Sequence, residues 1–278
     1  MRFSKDWREA NRLPTLEHEE FFEFLLISPS YQLATAIKIG AVKMPSDKDR
    51  PLDFDKVLKL YDLVGNISEV IFDHWWVSTG QYIFFDSKKS KEINITIDLT
   101  KDKETLLSQI DQLIENEKQK PDTSKKINFI KNKVRIKTLS SRTNLVYDFA
   151  NSRTKFPAIE YWRIAVFTGL KSQYIKGLKI DSKKTKDNIV AREKLTELVT
   201  KNLREALYFS ENAARQNFPS NLPIETGLEF NLKLIREIGS RQAKKEYQHW
   251  NALKEKGDQR LNDSQRSKFM KRISKKLK

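Results

Sequence analysis

The run from Asp187 to Asn217 constrains the fold of this chain more than any other stretch. Leu195, Leu198, Val199, Leu203, Ala206, Leu207 and Ala214 recur at three- and four-residue intervals, which places them on one stripe of an α-helix. Pro219 and Pro223 end the run, because proline lacks the amide hydrogen that the helical ladder needs. A second pattern from Glu225 to Trp250 carries Leu228, Leu232, Ile235 and Ile238 before turning polar at residues 241–250. Stripes this long must be covered by other helices or by a sheet, so the C-terminal half is expected to be helical and to serve as core or as a dimer surface.

The N-terminal half supplies matching material. Phe21, Phe22, Phe24, Leu25 and Leu26 make a helix apolar over most of its circumference. Ser28 and Pro29 stop it, and Ser30 is expected to cap a second helix through Tyr31, Leu33, Ala34 and Ile37. Residues 44–51 form a polar loop bracketed by prolines, followed by a helix through Phe54, Val57, Leu58, Leu60 and Tyr61. After Gly65 and Asn66 another helix is expected to carry Ile67, Val70, Ile71, Trp75 and Trp76 and to end near Gly80.

The middle of the chain changes period. Ile93, Ile95, Ile97 and Leu99 alternate with Asn94, Thr96 and Asp98, the pattern of a half-buried strand. Thr100 then caps a helix carrying Leu106, Leu107, Ile110, Leu113 and Ile114, residues 127–137 give a second strand candidate, and a helix follows over Ser140 to Ser152. The expected fold class is therefore α+β and predominantly helical: a small mid-chain sheet covered by helices, then a helical C-terminal half.

Charge divides the chain. Residues 1–120 hold 17 Lys and Arg against 21 Asp and Glu, so the totals of 53 and 37 leave 36 basic against 16 acidic residues for 121–278. A polyanion-binding half joined to a near-neutral half is the simplest reading, because phosphate contacts gain from counterion release. A lysine-rich, merely solvated surface is the alternative. The division suggests a near-neutral α+β region at 1–120, a basic helical nucleic-acid-binding region at 127–253 and a basic tail at 254–278, or one continuous domain with residues 121–126 on its surface. In the tail Phe269, Met270, Ile273 and Leu277 recur at helical spacing beside basic residues including Arg272 and Lys275, a pattern that suits a helix forming on nucleic acid.

Several chemistries are disfavoured. The absence of cysteine removes disulfides, Cys-ligated zinc, iron–sulfur clusters and thiol nucleophiles. The eight glycines are isolated, so no GxGxxG or GxxxxGK[ST] loop assembles. His18, His74 and His249 lie far apart, and none begins the HxxR segment that a tyrosine recombinase needs. Asp73 beside His74 invites an acid–base reading, but neighbouring residues do not face one another on a helix. No cofactor is implied. No apolar run approaches the roughly 20 residues that span a bilayer, and the N-terminus lacks the apolar core of a signal peptide, so a cytoplasmic, prokaryotic setting is expected.

Tyr161–Ile180 is the one window whose residue types suggest a specific molecular act. A small residue stands fifth (Ala165), glycine ninth (Gly169), and apolar residues fourth, tenth, fifteenth and eighteenth (Ile164, Leu170, Ile175, Leu178). The window resembles the helix-turn-helix of DNA-binding regulators, in which the second helix enters the major groove. Thr168 and Gly177 depart from the pattern, and Gly177 would shorten or bend the second helix. The resemblance implies that Lys171, Ser172, Gln173, Tyr174 and Lys176 face the groove, with Lys179, Lys183, Lys184 and Lys186 reaching phosphates just beyond. An ordinary helical corner would give the same spacing.

Together these features lead to the expectation of a non-catalytic nucleic-acid-binding protein, with duplex DNA favoured and RNA possible as partner, in regulation, replication or a mobile element, and with a homodimer or protein contact through its helical surfaces. The alternatives are the RNA-binding subunit of a ribonucleoprotein or defence complex, or a metal-dependent nuclease. For the nuclease Asp86, Glu92, Asp98 and Lys101, around the alternating strand, are the candidates.

Overall fold

A computed structural model of the chain describes residues 12–85, 106–108, 127, 129, 130, 134–170, 175 and 177–255, with 253–255 as backbone only. Its helices are α1 (Leu16–Ile27), α2 (Pro29–Lys38), α3 (Phe54–Val64), α4 (Phe72–Trp75), α5 (Gln81–Phe84), α6 (Ile136–Lys155), α7 (Tyr161–Phe167), α8 (Ile189–Ala213) and α9 (Leu232–Glu255). Short 3-10 turns lie at Asp47–Asp49 and Ile67–Glu69, and a π-helical turn at Trp76–Gly80.

At the centre is α1. Its start is fixed by a capping box in which the Thr15 amide donates to Nδ1 of His18 at 2.9 Å, histidine taking the place usually held by Glu or Gln. Phe21, Phe22, Phe24, Leu25, Leu26 and Ile27 are all buried, so every side of the helix needs cover. The cover comes from α6, α8 and α2, with α9 packed on α6 and also touching α1. Fully burying one such phenylalanine contributes about 1.5–3 kcal/mol, which makes this helix a principal source of folding energy. One buried cluster runs from Phe21 to Ile238 and takes in helices from both sides of residues 121–126.

The turn between α1 and α2 is tighter than the sequence suggests. Ser28 ends the first helix and caps the second, its Oγ accepting from the Tyr31 amide at 3.2 Å, with Pro29 in the first turn where its missing N–H costs nothing. Ser30 is thereby released for another task. Its amide, at 3.0 Å, and its hydroxyl both donate to Glu211 on α8, as does the Ser28 hydroxyl at 2.7 Å. Arg215 completes this buried network, donating to the Glu211 carboxylate at 2.9 Å and to the Leu52 carbonyl at 3.0 and 2.7 Å.

The single helix expected over residues 67–80 is broken into the 3-10 turn, α4, the π turn and α5. A side chain from α9 captures carbonyls that a continuous helix would use, and one from α2 fixes the turn before it. Gln242 Nε2 donates to Ile67, Ser68 and Val70 at 3.1, 3.3 and 2.6 Å, while the Tyr31 hydroxyl takes the Gly65 carbonyl at 2.7 Å. Gly80 does not end a helix here. It lets the rings of Trp75 and Trp76 close on the backbone, where an added Cβ would lie 2.9 and 2.7 Å from them.

The expected α+β class needs correction. Among the described residues there is no strand and no sheet; the architecture is helical. The alternating segment 93–99 lies outside the described residues. In the second candidate the Ile127 amide donates to the Ile83 carbonyl at 3.0 Å, and the Ile130 amide to that of Phe218 at 2.8 Å. Ile127 is buried, and Phe129 packs against Phe84 and Phe218 with ring centroids 4.9 and 5.4 Å apart. The alternation therefore reflects side chains entering an aromatic core, and the backbone bonds go to a helix end and a loop. By Ile136 the chain is already helical.

Candidate nucleic-acid interface

Two helices and a loop build the basic face. On α7, Trp162 and Ala165 turn inward to join Leu178, Leu195 and Val199, while Ile164 packs against Leu145 and Phe149 of α6. Arg192 stands three residues before Leu195 and seven before Val199, so helical spacing puts a guanidinium on the buried stripe of α8. It lies over the Trp162 ring at 4.2 Å from the centroid, is 6% exposed, and donates to the Ser182 carbonyl at 2.5 Å. Its Nε has no hydrogen-bond partner, so the ring face offsets part of the cost of burying the charge.

Arg163 occupies a related position. It stacks on Trp162 at 4.6 Å, donates through Nε to Glu160 at 3.0 Å and bonds the Ile180 carbonyl. The bond from Arg163 to Glu160, more than any other influence, holds the Glu160 carboxyl below its ordinary range. Slight burial opposes the effect, and the Trp162 N–H and the charge of Arg192 assist it. The indole N–H is otherwise short of a well-formed hydrogen bond, with Glu160 as a loose counterpart.

Two stacked arginines thus grip carbonyls two residues apart in the loop between α7 and α8. The loop also closes on itself. The Lys179 amide donates to Ser182 Oγ at 2.9 Å, the Thr185 amide to Asn188 Oδ1 at 3.0 Å, and Asn188 Nδ2 to the Lys183 carbonyl at 2.9 Å. On this frame Lys179, Lys183, Lys184 and Lys186 are all exposed, with Asp181 and Asp187 as the acidic residues among them. The arrangement presents ammonium groups to solvent from a backbone tied by these hydrogen bonds, which suits contact with a polyanion.

Four of the eleven residues expected from sequence are therefore brought together on one loop. Lys171, Ser172, Gln173, Tyr174, Lys176, Arg272 and Lys275 lie outside the described residues. Within the Tyr161–Ile180 window residues 161–167 are helical as α7, and Leu170 and Ile175 pack against the Trp162 cluster. Gly177 has φ +88°, so a second helix cannot continue through it. Sequence reasoning missed Trp162, Arg163 and Arg192. The available signal was an arginine at the spacing of Leu195 and Val199.

The other candidates take different places. His18 is enclosed by Trp76, Phe84 and Phe129, with ring centroids 4.7, 4.5 and 5.0 Å away, and burial pushes its pKa down to about 4. Glu20 turns toward Ser140 and Thr143 of α6, and burial, reinforced by Glu23 and Glu19, raises it to about 7 against those bonds. Asp73 and His74 meet the distant His249: Nε2 of His74 lies 3.2 Å from Nδ1 of His249, whose Nε2 is 3.9 Å from the Asp73 carboxylate. Among the described residues no three His, Asp or Glu side chains converge as metal ligands, and Asp86, Glu92, Asp98 and Lys101 lie outside them. A mainly apolar cleft between α1, α2 and α9 has Glu69 and Arg241 at its rim, paired to each other at 2.6 Å. No described helix is long and apolar enough to cross a membrane. No protein-family model, curated protein or solved structure matches the chain.

Proposed function

We propose that the chain binds DNA through its phosphate backbone, with the loop from Lys179 to Lys186 as a principal contact, in a regulatory or replication role that requires no catalytic step. The observation that carries this reading is the anchoring of that loop. Arg163 and Arg192, each stacked on Trp162, hold the Ile180 and Ser182 carbonyls while four lysines stand exposed. Solubility alone requires charge but not a fixed frame for it. The surplus of 36 basic over 16 acidic residues in 121–278 supplies the surrounding field.

Phosphate contacts of this kind position a protein without reading sequence, and their affinity falls steeply with salt. The test is fluorescence anisotropy of a labelled DNA 20-mer titrated with the full chain at several KCl concentrations. Replacing Lys183, Lys184 and Lys186 by Gln is expected to lower the slope of log K against log salt by about 2–3, since each lost phosphate contact removes roughly 0.7–0.9. An unchanged slope would remove the loop from the interface.

A further inference from the structure

One face of α9 meets the broken segment 67–80 residue by residue. Gln242 bonds the Ile67, Ser68 and Val70 carbonyls, and Lys245 donates to the Glu69 carbonyl at 2.6 Å and lies 3.3 Å from its carboxylate. One turn further, His249 reaches Asp73 and His74. Residues three, four and seven apart share a helix face, so the contact that Gln242 anchors also carries His249 to α4. On the other side, burial of Trp75 and Trp76 leaves Asp73 and His74 exposed, and Trp75 Nε1 fixes α4 by donating to the Val64 carbonyl at 3.1 Å. Two imidazoles 175 residues apart in the chain thus meet on frames that are held without them.

Nε2 of His74 and Nδ1 of His249 are 3.2 Å apart, with the ring centroids at 4.7 Å. A straight N–H···N bond of that length would hold the centroids roughly 5.5 Å apart. At least one nitrogen is therefore aimed off the line between them, where a third atom can meet it. Two nitrogens bound to one tetrahedral zinc at about 2.0–2.1 Å stand roughly 3.3 Å from each other, so the spacing is that of two ligands on one ion. The charges nearby also suit a cation. Asp73 places its carboxylate 3.9 Å from Nε2 of His249, the ring nitrogen not turned to His74, and a carboxylate on that side is common for ligating histidines. The positive side chains on the same face of α9, Arg241 and Lys245, are both paired with Glu69.

We propose that His74 and His249 bind a divalent transition cation of the zinc class through these two nitrogens, with water in the remaining positions. Imidazole suits such ions, whereas Mg²⁺ and Ca²⁺ prefer oxygen. The bound ion clamps α9 to α4 and extends the contact that Gln242 begins. The site uses no residue of the lysine loop and stands apart from the nucleic-acid reading. Its origin can be tested cleanly, because the chain has no cysteine and only one other histidine. That residue, His18, is buried among aromatic rings, with Nδ1 already accepting from the Thr15 amide. Zinc held by histidine therefore has this pair as its source.

The experiment titrates ZnCl2, and MgCl2 as control, into the untagged full chain by calorimetry, and repeats both with His74→Ala and His249→Ala. Each variant is first checked for native circular dichroism and for its unfolding midpoint in EDTA. The full chain should bind one zinc and no magnesium at this site. Each alanine should weaken zinc binding about tenfold or more, since losing even an outer partner of a metal ligand costs about 10–100-fold. Because the two ligands come together only in the folded chain, zinc should also raise the thermal unfolding midpoint of the wild type and leave that of each variant where EDTA puts it. Zinc affinity within twofold of wild type in either variant overturns the proposal, as does an equal response to magnesium or an unmoved wild-type midpoint. A wild-type dissociation constant above about 1 mM does the same and reduces the pair to two imidazoles sharing one proton.

Discussion

Removing the Glu211 carboxylate should destabilise the fold more than removing its partner Arg215. Both side chains are essentially buried, at 0% and 3% exposure. Glu211 accepts from both serine hydroxyls, the Ser30 amide and Arg215, so it joins the α1–α2 corner to α8. In Glu211→Gln the guanidinium stays charged, because arginine does not deprotonate in proteins, and it is left among neutral acceptors: the Leu52 and Glu211 carbonyls and Ser30 Oγ. Breaking one half of a buried pair in this way typically costs about 3–5 kcal/mol. In Arg215→Met the stranded carboxyl still has both serine hydroxyls and the Ser30 amide as donors, which limits the loss. Urea unfolding followed by tryptophan fluorescence measures both effects. Replacing both residues at once, Glu211→Gln with Arg215→Met, should cost less than the sum of the single changes, since no charge is then stranded. A Glu211→Gln cost below about 1 kcal/mol, or strict additivity in the pair, would refute this account.

Glu20 and His18 should compensate each other in the pH dependence of stability. Glu20 is raised from 4.5 to about 7, so the folded state holds its proton and loses stability as pH rises through that window. His18 is lowered from 6.5 to about 4, so the folded state stays unprotonated and loses stability as pH falls through nearly the same window. Their contributions oppose and largely cancel between pH 4.5 and 6.5. Glu20→Gln, which keeps its hydrogen-bonding capacity toward Ser140 and Thr143, should therefore gain stability relative to wild type as pH rises from 4.5 to 7, by on the order of 3 kcal/mol at most. Parallel denaturation curves for the two proteins across that range would contradict the assignment. Gly80→Ala should destabilise by about 1–3 kcal/mol, because the new methyl meets the Trp75 and Trp76 rings below 3 Å and both rings are buried. Thermal unfolding read by tryptophan emission checks this, and an unchanged midpoint would show that the rings can shift.

Where the apolar pattern was long, the helices were legible, although the one expected from Glu225 begins only at Leu232 and leaves Leu228 outside it. The stripe of Leu195, Leu198, Val199 and Leu203 became α8, and the apolar run from Phe21 to Ile27 became the central helix, because a period of 3.6 over many residues leaves the chain one way to bury its apolar side chains. The surplus of lysine and its place after residue 120 were equally legible, being properties of composition. Short patterns misled. Ile127 and Phe129 alternate like a strand, yet the aromatic core sets their positions and no partner strand does. The helix expected from Ile67 to Gly80 met a hydrogen-bond donor from Gln242, which local propensity cannot anticipate. Only tertiary structure could supply the candidate site. Trp162 and Arg192 are 30 residues apart, and it is the packing of α7 on α8 that stacks one on the other and so fixes the loop that carries the lysines. Hydrophobic period is written along the chain. The convergence of charge on an aromatic ring is decided where two helices cross.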